Sequence, residues 1–100
     1  MAEGAVVRAI LVELGSRPDV LVYRCNVVVA KRGRKQVRSL PNGHPDILAI
    51  HQGRYIAIEA KTETGRQSQR QKLFQQAVER AGGVYVIARS VSDVLEALDE

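Results

Sequence analysis

Two spacings of apolar residues alternate along the chain, and they predict where its helices and strands lie. Apolar residues three and four positions apart, which are typical of amphipathic helices, occur in three segments: 3–15, 69–81 and 91–98. Runs rich in β-branched residues, which are typical of strands, lie between them: 20–30, 47–50, 55–61 and 84–88. The pattern predicts a single domain over residues 1–100, of the α/β (α+β) class, with the order α-β-β-β-α-β-α and a central mixed sheet flanked by helices.

The segments 47–50 and 55–61 are predicted to form a β-hairpin, because a short turn containing Gly53 separates them. Both segments are apolar on both faces, so we expect central strands that are covered on each side. The path from 55–61 through a helix to 84–88 predicts a right-handed crossover and a parallel pairing of those two strands. His51 is expected in an exposed turn.

Charged residues stand at the ends of these two strands. Asp46 begins the first strand and Glu59 lies near the end of the second, so an antiparallel hairpin brings the two carboxylates near each other. Glu59 and Lys61 point to the same face, roughly 7 Å apart along the backbone. Such carboxylates are costly unless they pair or bind a metal, and oxygen ligands suit Mg²⁺. The alternative is structural: a turn aspartate and an ordinary Glu–Lys ion pair.

Two polar residues extend the apolar stripes of their helices. Glu3 falls in line with Val7 and Ile10, where it either has a partner or is an acid favoured by the helix dipole. Gln71 projects in nearly the same direction as Phe74, where its amide either reaches a site or contacts the backbone near the helix cap. The core stripe of this second helix is predicted to be Leu73, Phe74, Ala77, Val78 and Ala81.

Composition places the chain among ordinary globular domains, with 100 residues, 45% hydrophobic and 26% charged. The net charge of +4 modestly favours a polyanionic partner. The lone Cys25 excludes an internal disulfide and fits a reducing compartment. No apolar run approaches the roughly 20 residues of a membrane span, and no signal-peptide segment is evident. We therefore expect an intracellular, cytoplasmic protein without a membrane partner.

Five basic residues lie within eight positions around Gly33, and they are predicted to form the tip of a hairpin whose return strand is about 35–40. They are Lys31, Arg32, Arg34, Lys35 and Arg38. Two interpretations stay open: a solvated loop, or a basic finger that binds nucleic-acid phosphates. No aromatic residue interleaves the run, so base stacking is not expected from it. Tyr23 and Arg24 could also face a substrate, and His44 could contact a phosphate or a water.

Four motif positions follow one another along the chain: Glu3, then Gly43-x-Pro45-Asp46, then Glu59-x-Lys61, then Gln71. This order resembles the PD-(D/E)xK nuclease superfamily and, within it, a stand-alone VRR-NUC domain. The resemblance covers nearly the whole chain. It implies a restriction-endonuclease-like core and a Mg²⁺- or Mn²⁺-dependent endodeoxyribonuclease that hydrolyses phosphodiester bonds, in a protein of bacterial or phage type.

The resemblance also implies roles for single residues. The metal ligands would be Glu3, Asp46, Glu59 and the backbone carbonyl of Ala60. Together with Asp46 and Glu59, Lys61 would position or activate the attacking water, and Gln71 would orient Lys61 or the phosphate. Nucleic-acid contacts would come from Lys31, Arg32, Arg34, Lys35, Arg38 and His44. No small-molecule cofactor is expected.

The substrate is inferred more loosely. A chain with one site and no accessory DNA-reading domain is not expected to cut a specific sequence. A symmetric homodimer would supply two sites related by a two-fold axis, which matches a four-way (Holliday) junction or related branched DNA. Two other functions stay open: a non-catalytic nucleic-acid-binding module that uses the 31–38 hairpin, and a small structural or toxin-like protein with no polyanionic partner.

Overall fold

The structure, a computed structural model of the chain, describes residues 2–26, 29–38 and 40–99. Its elements are α1 (Glu3–Gly15), β1 (Val20–Arg24), β2 (Val29–Arg32), β3 (Lys35–Arg38), β4 (Ile47–His51), β5 (Arg54–Ala60), α2 (Gln69–Arg80), β6 (Val84–Ala88) and α3 (Val91–Leu98). The predicted order α-β-β-β-α-β-α is confirmed, with the hairpin β2–β3 inserted between β1 and β4. No helix in these ranges is long and apolar enough to cross a membrane.

The strands form a four-stranded mixed sheet of order β1-β4-β5-β6, with β4 and β5 at its centre as predicted. β4 and β5 pair antiparallel, and β5 and β6 pair in parallel, which confirms both predicted directions. The predicted strand 20–30 is divided, because β2 leaves β1 and pairs with β3 in a separate two-stranded sheet. Residues 27, 28 and 39 of the predicted strands lie outside the described residues.

One face of the sheet is closed by α1 and α3. This closed face consists of Ile47, Ala49, Ile56, Ile58, Ala60, Val86 and Ala88. The predicted stripe of α1 packs onto it, and Ile10 and Leu14 are fully buried there beside Val94 of α3. Burying a side chain of this size contributes about 1.5–3 kcal/mol, so this face supplies most of the hydrophobic stabilisation of the domain.

The opposite face is only partly covered, and we call it the half-open face. Strand alternation assigns to it Leu21, Tyr23, Leu48, Ile50, Ala57, Glu59 and Tyr85. α2 covers the β5–β6 half, where Phe74 and Val78 pack with Ala57 and Tyr85. On the β1–β4 half, Leu21, Tyr23 and Ile50 remain exposed.

The predicted core stripe of α2 is wrong at three of its five positions. Val78 is buried and Phe74 is half-buried, but Leu73 is 53% exposed, and Ala77 and Ala81 are exposed as well. The helix therefore rests on the sheet along a single line of side chains. A stripe of five buried residues suits a helix that covers a whole sheet, whereas α2 covers only the β5–β6 half of this one.

His51 is not in an exposed turn, which corrects the sequence-based expectation. It is the last residue of β4 and is only 7% exposed. Its Nδ1 lies 3.3 Å from the Asp19 carbonyl oxygen and 3.5 Å from the Asp19 carboxylate. The strand continues one residue further than its apolar run, and alternation turns this side chain towards the closed face.

Candidate metal centre

Three carboxylates from distant parts of the chain meet at one end of the sheet. Carboxylate oxygens of Glu3, Asp46 and Glu59 all lie within 4.8 Å of one another. The hairpin register explains two of them: Ile47 pairs with Ile58, and one further step along the ladder sets Asp46 opposite Glu59 on the half-open face. Glu3 reaches them from the first turn of α1.

A close approach between a loop and a helix fixes the position of Asp46. Gly43 has a φ of +80°, and a Cβ at this position would overlap the backbone carbonyl of Arg70 at the start of α2. Pro45 is buried behind this contact. The Gly-x-Pro-Asp sequence therefore lets the loop pack directly on the helix backbone, since any larger residue at position 43 would push it away.

Backbone groups hold both ends of the Asp46 residue. The amide of Cys25 donates a 2.7 Å hydrogen bond to the Asp46 carbonyl oxygen. The amide of Ala60 donates a 2.9 Å hydrogen bond to Asp46 Oδ2. In an extended strand the N–H and C=O of one residue leave on the same side, so the Ala60 carbonyl also faces the Asp46 side of β5.

Glu59 carries the most unusual environment in the site. It is only 2% exposed, and its Oε2 has no hydrogen-bond partner among the described residues. Burial, and then the nearby charge and hydrogen bonding of Asp46, raise the pKa of Glu59 from 4.5 to about 8, while Lys61 opposes the rise. A buried carboxylate in this state is costly unless a proton or a cation neutralises it.

The donor set fits a hard divalent cation. Three carboxylates and a backbone carbonyl are oxygen ligands, and Mg²⁺ and Mn²⁺ prefer such ligands while keeping several waters. The unpartnered Oε2 of Glu59 is an acceptor that a cation would satisfy. The exposed position of Glu3 leaves a solvent-facing side to the cluster, through which an ion or a phosphate could enter.

Lys61 follows β5 directly and lies beside the acids without being paired to them. Its amide donates a 2.9 Å hydrogen bond to the Ala88 carbonyl, which extends the pairing of β5 with β6. Within the described ranges its ammonium group makes no ion pair within 4.0 Å, although its charge lowers the pKa of Glu59. The ordinary Glu–Lys ion pair of the alternative interpretation is therefore not formed among the described residues.

Arg89 holds the loop that follows Lys61, and sequence reasoning missed it. Its Nη1 donates hydrogen bonds to two carbonyl oxygens, that of Thr62 and, at 2.9 Å, that of Gly65. Gly65 is close to the lysine, because a Cβ there would lie 3.5 Å from Lys61 Cδ. The contacts span 24 and 27 residues, and no local pattern signals a contact of that range.

Tyr85 is a second residue that sequence reasoning missed. It lies on the half-open face, and its buried hydroxyl has no hydrogen-bond partner among the described residues. Burial is the main cause that raises the pKa of Tyr85 to about 12. The polar side chain of Gln67 opposes this rise, and the charges of Glu59 and Asp46 add to it. Alternation along β6 could have assigned it to the face that bears Glu59.

Gln71 makes the contact with the helix cap that the sequence left open. Its Oε1 accepts a 2.9 Å hydrogen bond from the Ser68 amide, and its own amide donates to Ser68 Oγ at 3.2 Å, which completes a capping box. In the described part of the chain its amide Nε2 makes no hydrogen bond. A role for Gln71 towards a phosphate or Lys61 stays a prediction and would use this nitrogen.

The predicted nucleic-acid contacts lie in two places. His44 is half-buried, with its ring against the edge of Phe74 at 5.2 Å and its Nδ1 3.0 Å from the Pro45 carbonyl oxygen. The tip of the β2–β3 hairpin exposes Lys31, Arg32, Arg34 and Lys35. Arg38 is the last residue of β3, and the structure describes its backbone but not its side chain.

Neither family models nor curated proteins give a match to this chain. The functional argument therefore rests on the geometry and chemistry of the site.

Proposed function

We propose that the chain is a divalent-metal-dependent DNA endonuclease of the stand-alone VRR-NUC type, within the PD-(D/E)xK superfamily. The observation that carries the proposal is the buried carboxylate of Glu59, unpartnered at Oε2 and within 4.8 Å of acids from two other segments. A structural ion pair would have satisfied that oxygen with a cation from the chain. Three carboxylates lie close together, and Glu59 Oε2 has no hydrogen-bond partner among the described residues. Such an arrangement favours the binding of a metal ion.

Four groups would hold the ion: the carboxylates of Glu3, Asp46 and Glu59, and the carbonyl oxygen of Ala60. When bound, Mg²⁺ or Mn²⁺ would neutralise the acids, polarise the phosphodiester and stabilise charge on the leaving oxygen. The hydrogen bond from the Ala60 amide keeps Asp46 Oδ2 oriented, which leaves Oδ1 for ligation. The exposed Glu3 would complete the set from the solvent side, directly or through a water.

Lys61 would act on the water that attacks phosphorus. Its ammonium group lies on the face that bears Glu59 and makes no close ion pair in the described ranges, so it can hydrogen-bond a water or a phosphate oxygen. In the reaction the water oxygen would bond to phosphorus as the water loses a proton to solvent. The phosphorus–oxygen bond in line with it would break, and the leaving oxygen would take up a proton to become a hydroxyl. The Nε2 of Gln71 would orient the phosphate or the lysine, since its Oε1 serves the helix cap.

The basic hairpin would bind phosphates that flank the cut. β1 ends at Arg24, opposite Ile47, so the connection to the hairpin leaves the sheet beside Asp46. The four exposed cations at its tip suit the phosphate backbone, and they would make binding weaken as salt rises. His44, two residues before Asp46, would contact the same DNA strand.

The substrate we propose is branched DNA, with a four-way junction cut by a homodimer as the leading case. A single small domain carries one site, and a two-fold dimer would present two. The single thiol, Cys25, supports an intracellular location. If the protein stays a monomer in sedimentation experiments with and without junction DNA, the junction proposal fails, and the nuclease proposal is tested separately.

Cleavage of labelled junction, flap and duplex DNAs with Mg²⁺, compared with EDTA, tests the nuclease proposal. Asp46→Asn and Lys61→Ala should each reduce cleavage by at least about a hundredfold, because the first removes a charged metal ligand and the second removes the amine that would act on the attacking water. Glu79→Gln, an exposed acid near the end of α2, is the matched control and should cut normally. Undiminished cutting by both site variants would end the assignment.

A second candidate is a non-catalytic nucleic-acid-binding module, which the exposed hairpin cations favour. Such a module would bind DNA through phosphates alone, and acids beside the DNA would only weaken it. Titration with Ca²⁺ separates the two functions. A metal-dependent site should gain DNA affinity with the ion and lose this gain in Asp46→Asn, whereas a simple binder should gain none.

A further inference from the structure

A recess lies beside the three carboxylates, and it has no part in the metal centre described above. It has a volume of about 260 Å³ and is lined by residues of β1, of β4 and of the loops beside them. Tyr23, His44 and Leu48 are among its lining residues. Cys25 also lines it and donates its backbone amide to the Asp46 carbonyl oxygen at 2.7 Å, which ties the recess to the candidate metal centre.

The recess and the acids share one face of the sheet. Asp46 and Leu48 are two residues apart along the chain entering β4, so their side chains point the same way, roughly 7 Å apart. Tyr23 pairs directly with Leu48 across the β1–β4 ladder, which brings its ring over the same spot. A nucleotide joined to a phosphate at the acids would thus have its base within reach of the recess.

The lining combines an apolar floor, an aromatic side and a fixed polar ring. Leu48 is buried and forms the floor. Tyr23 is 48% exposed, because it lies on the half of the sheet that no described helix covers. The contact with Phe74 fixes the His44 ring, and its Nδ1 donates to the Pro45 carbonyl oxygen, which leaves Nε2 as an acceptor in the neutral ring. Flat apolar faces with polar edges are the chemistry of a nucleobase.

We propose that this recess binds the base of an unpaired nucleotide next to the phosphate that is cut. The proposal rests on the proposed nuclease function and adds a reason for a preference for branched DNA. A base inside a duplex is stacked on both faces and paired along one edge, so it must be extruded before it can enter the recess. Nucleotides at a flap or at the crossing of a junction are already unpaired or easily unpaired, and they can enter at little cost.

Binding without cleavage tests the recess directly. We would measure the affinity of the metal-free protein in EDTA for an oligothymidylate and for an abasic oligonucleotide of the same length, which has the same phosphates and no bases. The wild type should bind the base-containing strand about tenfold more tightly, which is the scale of one stacked base. Because the phosphates are equal in both probes, the ratio excludes the contribution of the basic hairpin.

Variants of β1 provide the matched comparison. Tyr23→Ala and Tyr23→Leu should bring the ratio of the two affinities close to one, and Tyr23→Phe should keep it. Leu21→Ala changes an exposed residue on the same strand and face, two positions away and outside the recess, and should also keep it. Tyr23→Leu retains an apolar strand residue, so it reports on the ring even if the alanine variant folds poorly.

The outcomes separate the recess from the nuclease proposal. Equal affinity of the wild type for both strands, no affinity for either, or an unchanged ratio in Tyr23→Leu would overturn the recess, even if the protein cuts junctions in Mg²⁺. A base preference that depends on Tyr23, in a protein that cuts no DNA, would keep the recess as a nucleic-acid site and reject the nuclease.

Discussion

The two faces of the sheet use the same strands for opposite purposes. The closed face buries aliphatic side chains against α1 and α3, and it carries no acid among the described residues. The half-open face carries Glu59 and Tyr85, whose buried polar atoms have no hydrogen-bond partner in the part of the chain that the structure describes, and it leaves Tyr23 exposed. The difference teaches that one face supplies the stability that lets the other hold unfavourable groups in place.

The largest expected difference between the faces is in packing. Ile58→Ala on the closed face should cost about 2–5 kcal/mol in free energy of unfolding, because it opens a cavity in a fully buried cluster. Leu73→Ala on α2, the matched control, should cost less than about 1 kcal/mol because that side chain is more than half exposed. Urea denaturation measures both, and equal costs would show that the two faces are packed alike.

The second prediction concerns pH. The pKa of Glu59 in the folded protein, about 8, exceeds its ordinary value of 4.5, so the folded state holds a proton that the unfolded state releases between these values. The stabilising contribution is therefore fully present below about pH 4.5 and is lost as the pH rises through 8. Without metal, the wild type should lose on the order of 2–4 kcal/mol relative to Glu59→Gln between pH 5 and pH 8.5.

Thermal unfolding in EDTA at a series of pH values checks this prediction. Glu79→Gln is the control, since that exposed acid should leave the wild-type pH profile unchanged. Adding Mg²⁺ at pH 8.5 should raise the melting temperature of the wild type, because the ion binds the ionised site only in the folded state, and should raise that of Glu59→Gln less. Parallel pH profiles for wild type and Glu59→Gln would contradict the buried state of the carboxyl.

The third prediction concerns the loop that carries Asp46. Gly43→Ala should cost about 1–3 kcal/mol, because it adds a clash with the Arg70 carbonyl to the strain of a positive φ. Gly53→Ala is the control: its φ of +75° brings the same strain, but its Cβ would meet open space. A cost for Gly43→Ala no larger than that for Gly53→Ala would mean that the loop does not depend on its contact with α2.

The smallest expected effect is that of Arg89, which we regard as a positioning residue. In the proposed nuclease, Arg89→Lys should lower kcat about tenfold, roughly 1.4 kcal/mol in activation free energy, and change KM little, because the shorter lysine side chain cannot place its ammonium where Nη1 of Arg89 donates to both carbonyls. Added guanidinium ion should restore part of the rate in Arg89→Ala. Arg80→Ala, an exposed arginine in the last turn of α2, is the control. A change in KM alone would assign Arg89 to DNA binding instead.

The sequence predicted the parts of this molecule that follow from local period and register. Short apolar runs on either side of a turn assigned the central strands, and the short hairpin turn set the register that brings Asp46 opposite Glu59. The stripe of α1 predicted the direction of Glu3, because a helix that packs on a sheet must aim its whole stripe the same way. The metal and the nuclease activity stay predictions.

What the sequence could not predict depends on contacts between distant segments. The reach of Arg89 across the loop after β5 is set by how α3 and β6 dock, which no local spacing encodes. The exposure of Leu73 depends on how much of the sheet α2 covers, and the same helical period would describe a wider contact. The expectation for His51 was wrong because a polar residue after an apolar run was assigned to the turn. β4 instead continues by one residue and includes His51, whose side chain is therefore buried.

The origin of the third acid, Glu3, links the complete carboxylate cluster to the finished tertiary fold. The hairpin β4–β5 could gather two carboxylates early in folding, since its contacts are local. Glu3, in contrast, lies on α1, whose buried side chains pack in one cluster with residues of β5, β6 and α3. These contacts join distant parts of the chain, so we expect α1 to dock after the hairpin forms. A chain caught before that step would lack one of the three carboxylates, so the proposed metal-dependent cleavage would be expected only from the fully folded domain.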